Sequence, residues 1–290
     1  MTVDPRKVLM RSLLPGTEER IAKLNHSEIA YSESKAEGPN LVLVHGLSVR
    51  RDSFRNVVPF LLKRFHVFAI DLRGHGFSSR HEVGYTFTEY SAELAEFVDQ
   101  VVGNPAFVWG QSLGASTAII AADRLPGSFR AVFAEDPGIM RTESSIPDDS
   151  YLHEALLNIR DMVLNNLSME ETIAVLTDGK SPDEIDFEAN QILAEGWASL
   201  NARAIEAALE RQLFVEFHPM DSILTVQCPA FLAQADPDLG GIILDSHIRD
   251  IEPLPPNWQF KRYFGAEHVI HYSNPEEIAR DAIEFFDGIG

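Results

Sequence analysis

Cysteine is almost missing from this chain. Cys228 is the only one in 290 residues, so no intrachain disulfide can form. That excludes a disulfide-stapled fold and suits a reducing compartment, for which cytoplasmic is the default expectation. Long apolar runs are missing too, and none reaches the roughly 18 residues a membrane-spanning helix needs. The stretch from Met1 to Arg20 breaks its short apolar pieces with Asp4, Arg6, Lys7, Arg11, Glu18, Glu19 and Arg20. It therefore lacks the continuous apolar core of a secretory signal. Basic residues are scarce: 24 Lys and Arg face 44 Asp and Glu, for a net charge of −20. Phosphate neutralisation needs clustered cations, so nucleic acid is not an expected partner. An anionic membrane surface is disfavoured on the same ground. The acidity serves solubility first. Much of it lies between Asp148 and Glu216, where it would also disfavour anionic substrates.

No internal repeat or low-complexity tract interrupts the chain, and its length suits one large α/β domain or a core with a modest insertion. Short apolar runs alternate with amphipathic stretches, the pattern of a parallel sheet with crossover helices. Asn40 to Gly46 reads as a strand too uniformly apolar to have a wet face. Further strands are expected at His66–Asp71, Ala106–Gly110, Phe129–Ala134, Pro229–Ala235 and Trp258–Phe264. Helices are expected at Ser53–Arg64, from Thr88, which can cap the N-terminus, to about Val102, from Ser112 to about Leu125, and from Pro275 to about Phe286. Between Gly138 and Ser222 the alternation gives way to helical periodicity alone. The expected organisation is a core of residues 1–137 and 223–290, with 138–222 inserted as a helical lid before the last two strands.

Gly110-Gln111-Ser112-Leu113-Gly114 carries the chemistry. It matches G-x-S-x-G and stands where that motif must stand, after a buried strand and opening a helix. A strained turn there lifts the serine hydroxyl clear of the sheet, at the positive end of the next helix. A hydroxyl needs a base to become a nucleophile. His268, in the loop between the last strand and the last helix, is the expected base. His271 competes for the role, but belongs to the following segment. Charge developing on an attacked carbonyl needs two N–H donors. Leu113, after the nucleophile, supplies one. Leu47, after the first central strand, is the expected second, with Gly46 allowing the turn. His45 is read as packing its loop, and His75 has no partner at metal-ligand spacing.

With His45-Gly46, Asp71-Leu-Arg-Gly-His-Gly-Phe-Ser78, Gly110-x-Ser112-x-Gly114 and His268 in this order, the chain resembles the α/β-hydrolase family over essentially its full length. The resemblance implies a mostly parallel twisted sheet flanked by helices, a Ser-His-acid triad, and no metal or organic cofactor. It leaves the acid open. The family's usual position, after the strand that follows the lid, offers Asp236 and Asp238, of which Asp238 fits better. The run Val108-Trp-Gly-x-Ser112-x-Gly-Ala-Ser-Thr117 is also similar to the fungal zearalenone lactone hydrolases. Counting from Pro126 in their manner puts the acid on Asp136, the preferred choice, with Glu135 beside it. The same likeness suggests that Trp197 contacts substrate, although an aromatic there also packs a lid onto a core. Met140, Met162 and Met169 either line an apolar pocket or fill gaps.

The expected function is hydrolysis of a carboxylic ester or lactone of a fairly hydrophobic small molecule, through an acyl-enzyme on Ser112. A serine nucleophile separates the chain from the family's epoxide hydrolases and haloalkane dehalogenases, which use aspartate there. Carbon–carbon bond hydrolases and ligand receptors with a retained, slow triad remain alternatives. The expected partner is a small-molecule substrate, and self-association is left open.

Overall fold

The computed structural model describes residues 14–103, 105–138, 151–177 and 187–289, without the side chains of residues 151, 169 and 187–189. Eight strands form one sheet in the order β1-β2-β4-β3-β5-β6-β7-β8. They are β1 (Thr17–Lys23), β2 (Glu28–Ser34), β3 (Asn40–Val44), β4 (His66–Ile70), β5 (Ala106–Gln111), β6 (Phe129–Glu135), β7 (Ala230–Gln234) and β8 (Trp258–Arg262). The β1–β2 and β2–β4 pairs are antiparallel, and every other pair is parallel. The six expected strands form within a residue or two of their anticipated ends. The β1–β2 hairpin went unanticipated because β1 lies on the sheet edge with most residues wet, so its sequence is charged rather than apolar.

Both faces of the sheet are covered, which explains the uniformly apolar strands. In β3, Val42 and Val44 join one core with the helices α2 (Phe87–Phe97) and α3 (Leu113–Arg124). Leu41 and Leu43 join the other with the final helix, Pro275–Asp287. That helix turns Ile278, Ala279, Ala282, Phe285 and Phe286 inward, one face of a 3.6-residue period.

Two expected helices differ in detail. The Ser53–Arg64 helix is instead a 3₁₀ segment, Arg51–Asn56, followed by the single turn α1, Val58–Leu61. Pro59 lacks an N–H and its ring blocks the preceding turn, so a continuous helix is excluded. In α2 the cap is Thr86 rather than Thr88. Glu89 three residues later closes a capping box with Thr86, whereas Thr88 already lies inside the helix.

After β6 come α4 (Tyr151–Leu164), α5 (Met169–Thr177), α6 (Phe187–Ala198), α7 (Ala202–Leu209) and α8 (Pro219–Thr225), then β7, α9 (Asp245–Ile251), β8, α10 (Ile270–Ser273) and the final helix α11. No strand occurs between β6 and β7 among the described residues. The expected join at 222/223 falls inside α8, which packs against α3. Strand order reverses between β3 and β5, which lie side by side although β4 intervenes in sequence. Loops leaving the carboxyl ends of such a pair diverge and open a crevice.

Candidate active site

Backbone strain at one residue shapes the floor of the crevice. Ser112 sits between β5 and α3 with φ 52° and ψ −114°, a conformation costly for any residue with a Cβ. Close approach on both sides fixes it. A Cβ on Gly110 would lie 2.3 Å from the Gly114 carbonyl oxygen, and one on Gly114 would lie 2.1 Å from the Val44 carbonyl oxygen. Only glycine at both positions lets β5, α3 and β3 pack this closely. Ser112 N–H donates to the Glu135 carbonyl at 2.9 Å, tying the turn to the end of β6.

Asp136 follows Glu135, also in the left-handed region at φ 41°. Its side chain is wholly buried. Oδ2 accepts from His268 Nδ1 at 2.6 Å and from Ile242 N at 2.8 Å. Oδ1 accepts from Ala235 N at 3.2 Å and Ile243 N at 3.4 Å. The imidazole of His268 is thereby turned by a charge-assisted bond, leaving Nε2 as the free face. In this state Nε2 accepts from the Gln111 amide at 3.2 Å. Gln111, the residue before the nucleophile, was not anticipated as part of the site. Its only sequence signal is its place in the elbow.

The other two carboxylates at the end of β7 serve their own turn. Asp238 is exposed, and its N–H donates to Asp236 Oδ1 at 3.3 Å. Asp236 accepts from Gly265 N at 2.9 Å and from Arg262 at 3.2 Å. Those contacts, the Gly265 N–H foremost, hold its carboxyl below the usual carboxylate range. Glu135 is wholly buried and bonds His271 rather than His268.

Leu113 is the first residue of α3, so its N–H has no acceptor within the helix. Leu47 lies in the turn after β3, and both leucines border the same cavity as Ser112 and His268. Two buried histidines hold that turn. His45 Nδ1 bonds the Gly46 carbonyl at 2.7 Å, and its Nε2 accepts from Leu72 N at 3.0 Å. His75 Nε2 accepts from Ser48 N at 3.3 Å, and its Nδ1 bonds the Arg73 carbonyl at 2.9 Å. Burial, and then the neighbouring His45, push His75 down to about 3, so it stays neutral.

The cavity encloses about 260 Å³. Its floor is the Ser112 turn and the Leu47 turn. Its roof comes from α4, through Leu152, Leu156 and Ile159, and from α6, through Leu193 and Trp197. Among the described lining residues there is no Lys, Arg, Asp or Glu. The indole Nε1 of Trp197 is buried and has no hydrogen-bond partner among the described residues. Met162 borders a separate, more open groove. Met140 and the side chain of Met169 lie outside the described residues. Among the described residues no group of three or more His, Cys, Asp and Glu is arranged to hold a metal ion, and no helix is long and apolar enough to cross a membrane.

A family model described as Alpha/beta hydrolase family matches residues 41–282. Over 102 residues the chain is 33% identical to a 2-(acetamidomethylene)succinate hydrolase of Mesorhizobium japonicum, covering 35% of this chain and 37% of that one. Over 117 residues it is 34% identical to a pimeloyl-(acyl-carrier protein) methyl ester esterase of Methylococcus capsulatus, covering 37% of this chain and 44% of that one. It thus spans less than half the length of these curated relatives. A crystal structure of an E-2-(acetamidomethylene)succinate hydrolase superposes with a TM-score of 0.74 at 22% identity, over 93% of this chain and 99% of that one. That last likeness is one of fold.

Proposed function

Because this chain belongs to the alpha/beta hydrolase family, whose model matches most of it, we propose that it is a serine hydrolase cleaving a carboxylic ester or lactone of a neutral, fairly hydrophobic small molecule. One observation carries the proposal. The strained Ser112 opens onto an apolar cavity that also receives His268, and Asp136 lies 2.6 Å behind that histidine. Ser112 Oγ attacks the carbonyl carbon while His268 Nε2 takes its proton. For this the Gln111 amide must first release Nε2. The N–H groups of Leu47 and Leu113 hold the oxyanion, and Asp136 orients the ring and stabilises the imidazolium. His268 then protonates the leaving oxygen. Water, deprotonated by the same ring, attacks the acyl-enzyme carbonyl and frees Ser112 and the acid product. Helices α4 and α6, which roof the cavity, act as the lid that excludes water from this chemistry.

The substrate reading follows from the cavity wall. A carboxylate entering it would lose its hydration with no described Lys or Arg to replace it, a cost no apolar contact offsets. The substrate named for the succinate hydrolase is therefore a poor guide, and the neutral ester function named for the esterase a better one. Trp197 would supply an aromatic face and an indole donor to the substrate.

The test is turnover of p-nitrophenyl esters and aromatic lactones by wild type and Ser112→Ala. Medium-chain and aromatic substrates should be hydrolysed, succinyl half-esters poorly, and Ser112→Ala should lose turnover altogether. Undiminished activity in Ser112→Ala, or a preference for the half-esters, would overturn the reading.

A further inference from the structure

Next to Asp136 lies a second buried carboxylate that the mechanism does not use. Glu135 ends β6, and its side chain is wholly buried. It accepts from Trp109 Nε1 at 2.8 Å, from His271 N at 3.0 Å, and from His271 Nδ1 at 2.9 Å from each oxygen. The His271 ring is itself wholly buried. It stacks on Phe54 with centroids 4.6 Å apart and planes 16° apart, and meets Trp109 edge-on.

Each of these residues sits a short, fixed step along the backbone from one member of the proposed triad. Trp109 is three residues before Ser112 on β5, Glu135 directly precedes Asp136, and His271 is three residues after His268. The main chain closes the figure, since the Glu135 carbonyl accepts from Ser112 N. A buried carboxylate is tolerable only while its donors stay in place. Any relative shift of the three segments would strip it of one.

We propose that Glu135, with Trp109 and His271, is the positioning centre that holds Ser112, Asp136 and His268 in register. This rests on the reading of those three as a catalytic triad. Glu135 does not border the substrate cavity, so it acts only through the residues it places.

Glu135→Gln tests this. The amide has nearly the carboxylate's shape but one acceptor oxygen, so with the oxygen on His271 its NH₂ faces the Trp109 N–H. Adding Trp109→Phe removes that opposing donor. The readouts are kcat and KM on a p-nitrophenyl ester, the rate of covalent labelling of Ser112 by a fluorophosphonate, and the thermal midpoint. A displacement approaching an ångström predicts that Glu135→Gln lowers kcat and labelling about 10- to 100-fold while KM stays nearly constant. Glu135→Gln/Trp109→Phe should regain much of that rate although its melting temperature falls further, because a buried indole has been cut back. Phe285→Leu, in the core away from the site, provides a destabilised control that should keep its kcat.

Unchanged kcat in Glu135→Gln overturns the proposal. So does a loss matched by the equally destabilised control, or a double variant with no recovery. If wild type neither labels nor turns over, the triad reading fails separately. The downfield proton resonance of the His268–Asp136 bond then decides the positioning claim, which an identical resonance in wild type and Glu135→Gln would overturn.

Discussion

Replacing Asp136 with asparagine isolates the electrostatic share of the proposed mechanism. The two carboxylate oxygens divide four N–H donors between them, His268 and Ile242 on Oδ2 at 2.6 and 2.8 Å, Ala235 and Ile243 on Oδ1 at 3.2 and 3.4 Å. An amide has one acceptor oxygen and must turn its NH₂ toward one pair. Facing the longer pair sacrifices the weaker bonds and leaves the oxygen on His268. The imidazole then keeps its orientation and its Nε2 acceptor, and what disappears is the negative charge opposite the imidazolium. Unit charges about 4 Å apart at an effective dielectric near 20 interact by about 4 kcal/mol. Losing that from the transition state lowers kcat about 10³-fold. Two backbone N–H groups left facing an NH₂ also cost on the order of 1–3 kcal/mol of stability. Steady-state kinetics on a p-nitrophenyl ester and a melting curve read both quantities, with Asp238→Asn as the comparison. Asp238 is exposed in a turn, so that variant should match wild type. An Asp136→Asn enzyme within about tenfold of wild type, or an Asp238→Asn enzyme equally impaired, would refute the reasoning.

Part of the pH dependence of stability follows from His75, which is held neutral down to about 3 against an ordinary value of 6.5. The unfolded chain takes up this proton first, so stability is full above 6.5 and is lost as pH falls toward 3, by up to about 1.4 kcal/mol per pH unit. Melting temperature against pH should therefore flatten in His75→Gln, whose amide can still accept from Ser48. An unchanged slope would remove His75 as the cause. The two close-packed glycines should separate fold from activity. Gly114→Ala drives a Cβ to 2.1 Å from backbone oxygen and should leave little folded protein, whereas the Cβ of Gly46→Ala meets the tip of Gln111 at the same distance. Gly46→Ala should fold with a modest drop in melting temperature and lose most of its turnover, as circular dichroism and the ester assay would report.

Local patterns told most where one side chain meets one local demand. Strands covered on both faces carry mostly apolar residues, so β3 to β7 stand out in the sequence, while the wet edge strand β1 does not. The G-x-S-x-G elbow is legible for a similar reason. Its glycines answer to contacts with β3 and within the turn itself, and no other residue fits there. Thr86 shows where such reading falls short: two threonines stand two residues apart, and only the reach of Glu89 separates the cap from the helix interior.

The sequence by itself determined the α/β alternation, the family resemblance, and the candidate nucleophile and base, because each is written in short stretches of the chain with a recognisable pattern. It left four carboxylates as candidates for the acid, since aspartate caps turns as readily as it orients histidines. Tertiary structure gives the four different partners. The ends of β6 and β7 are adjacent only in the sheet, and it is there that backbone N–H groups from one loop close on Asp136 while His268 arrives from another. Glu135 is drawn to His271 by the same convergence, Asp236 to Gly265, and Asp238 into water. The helical segment likewise announced its helices in sequence, but which faces meet above Ser112 depends on packing across the crevice between β3 and β5. Non-local contacts decide what a local pattern leaves degenerate.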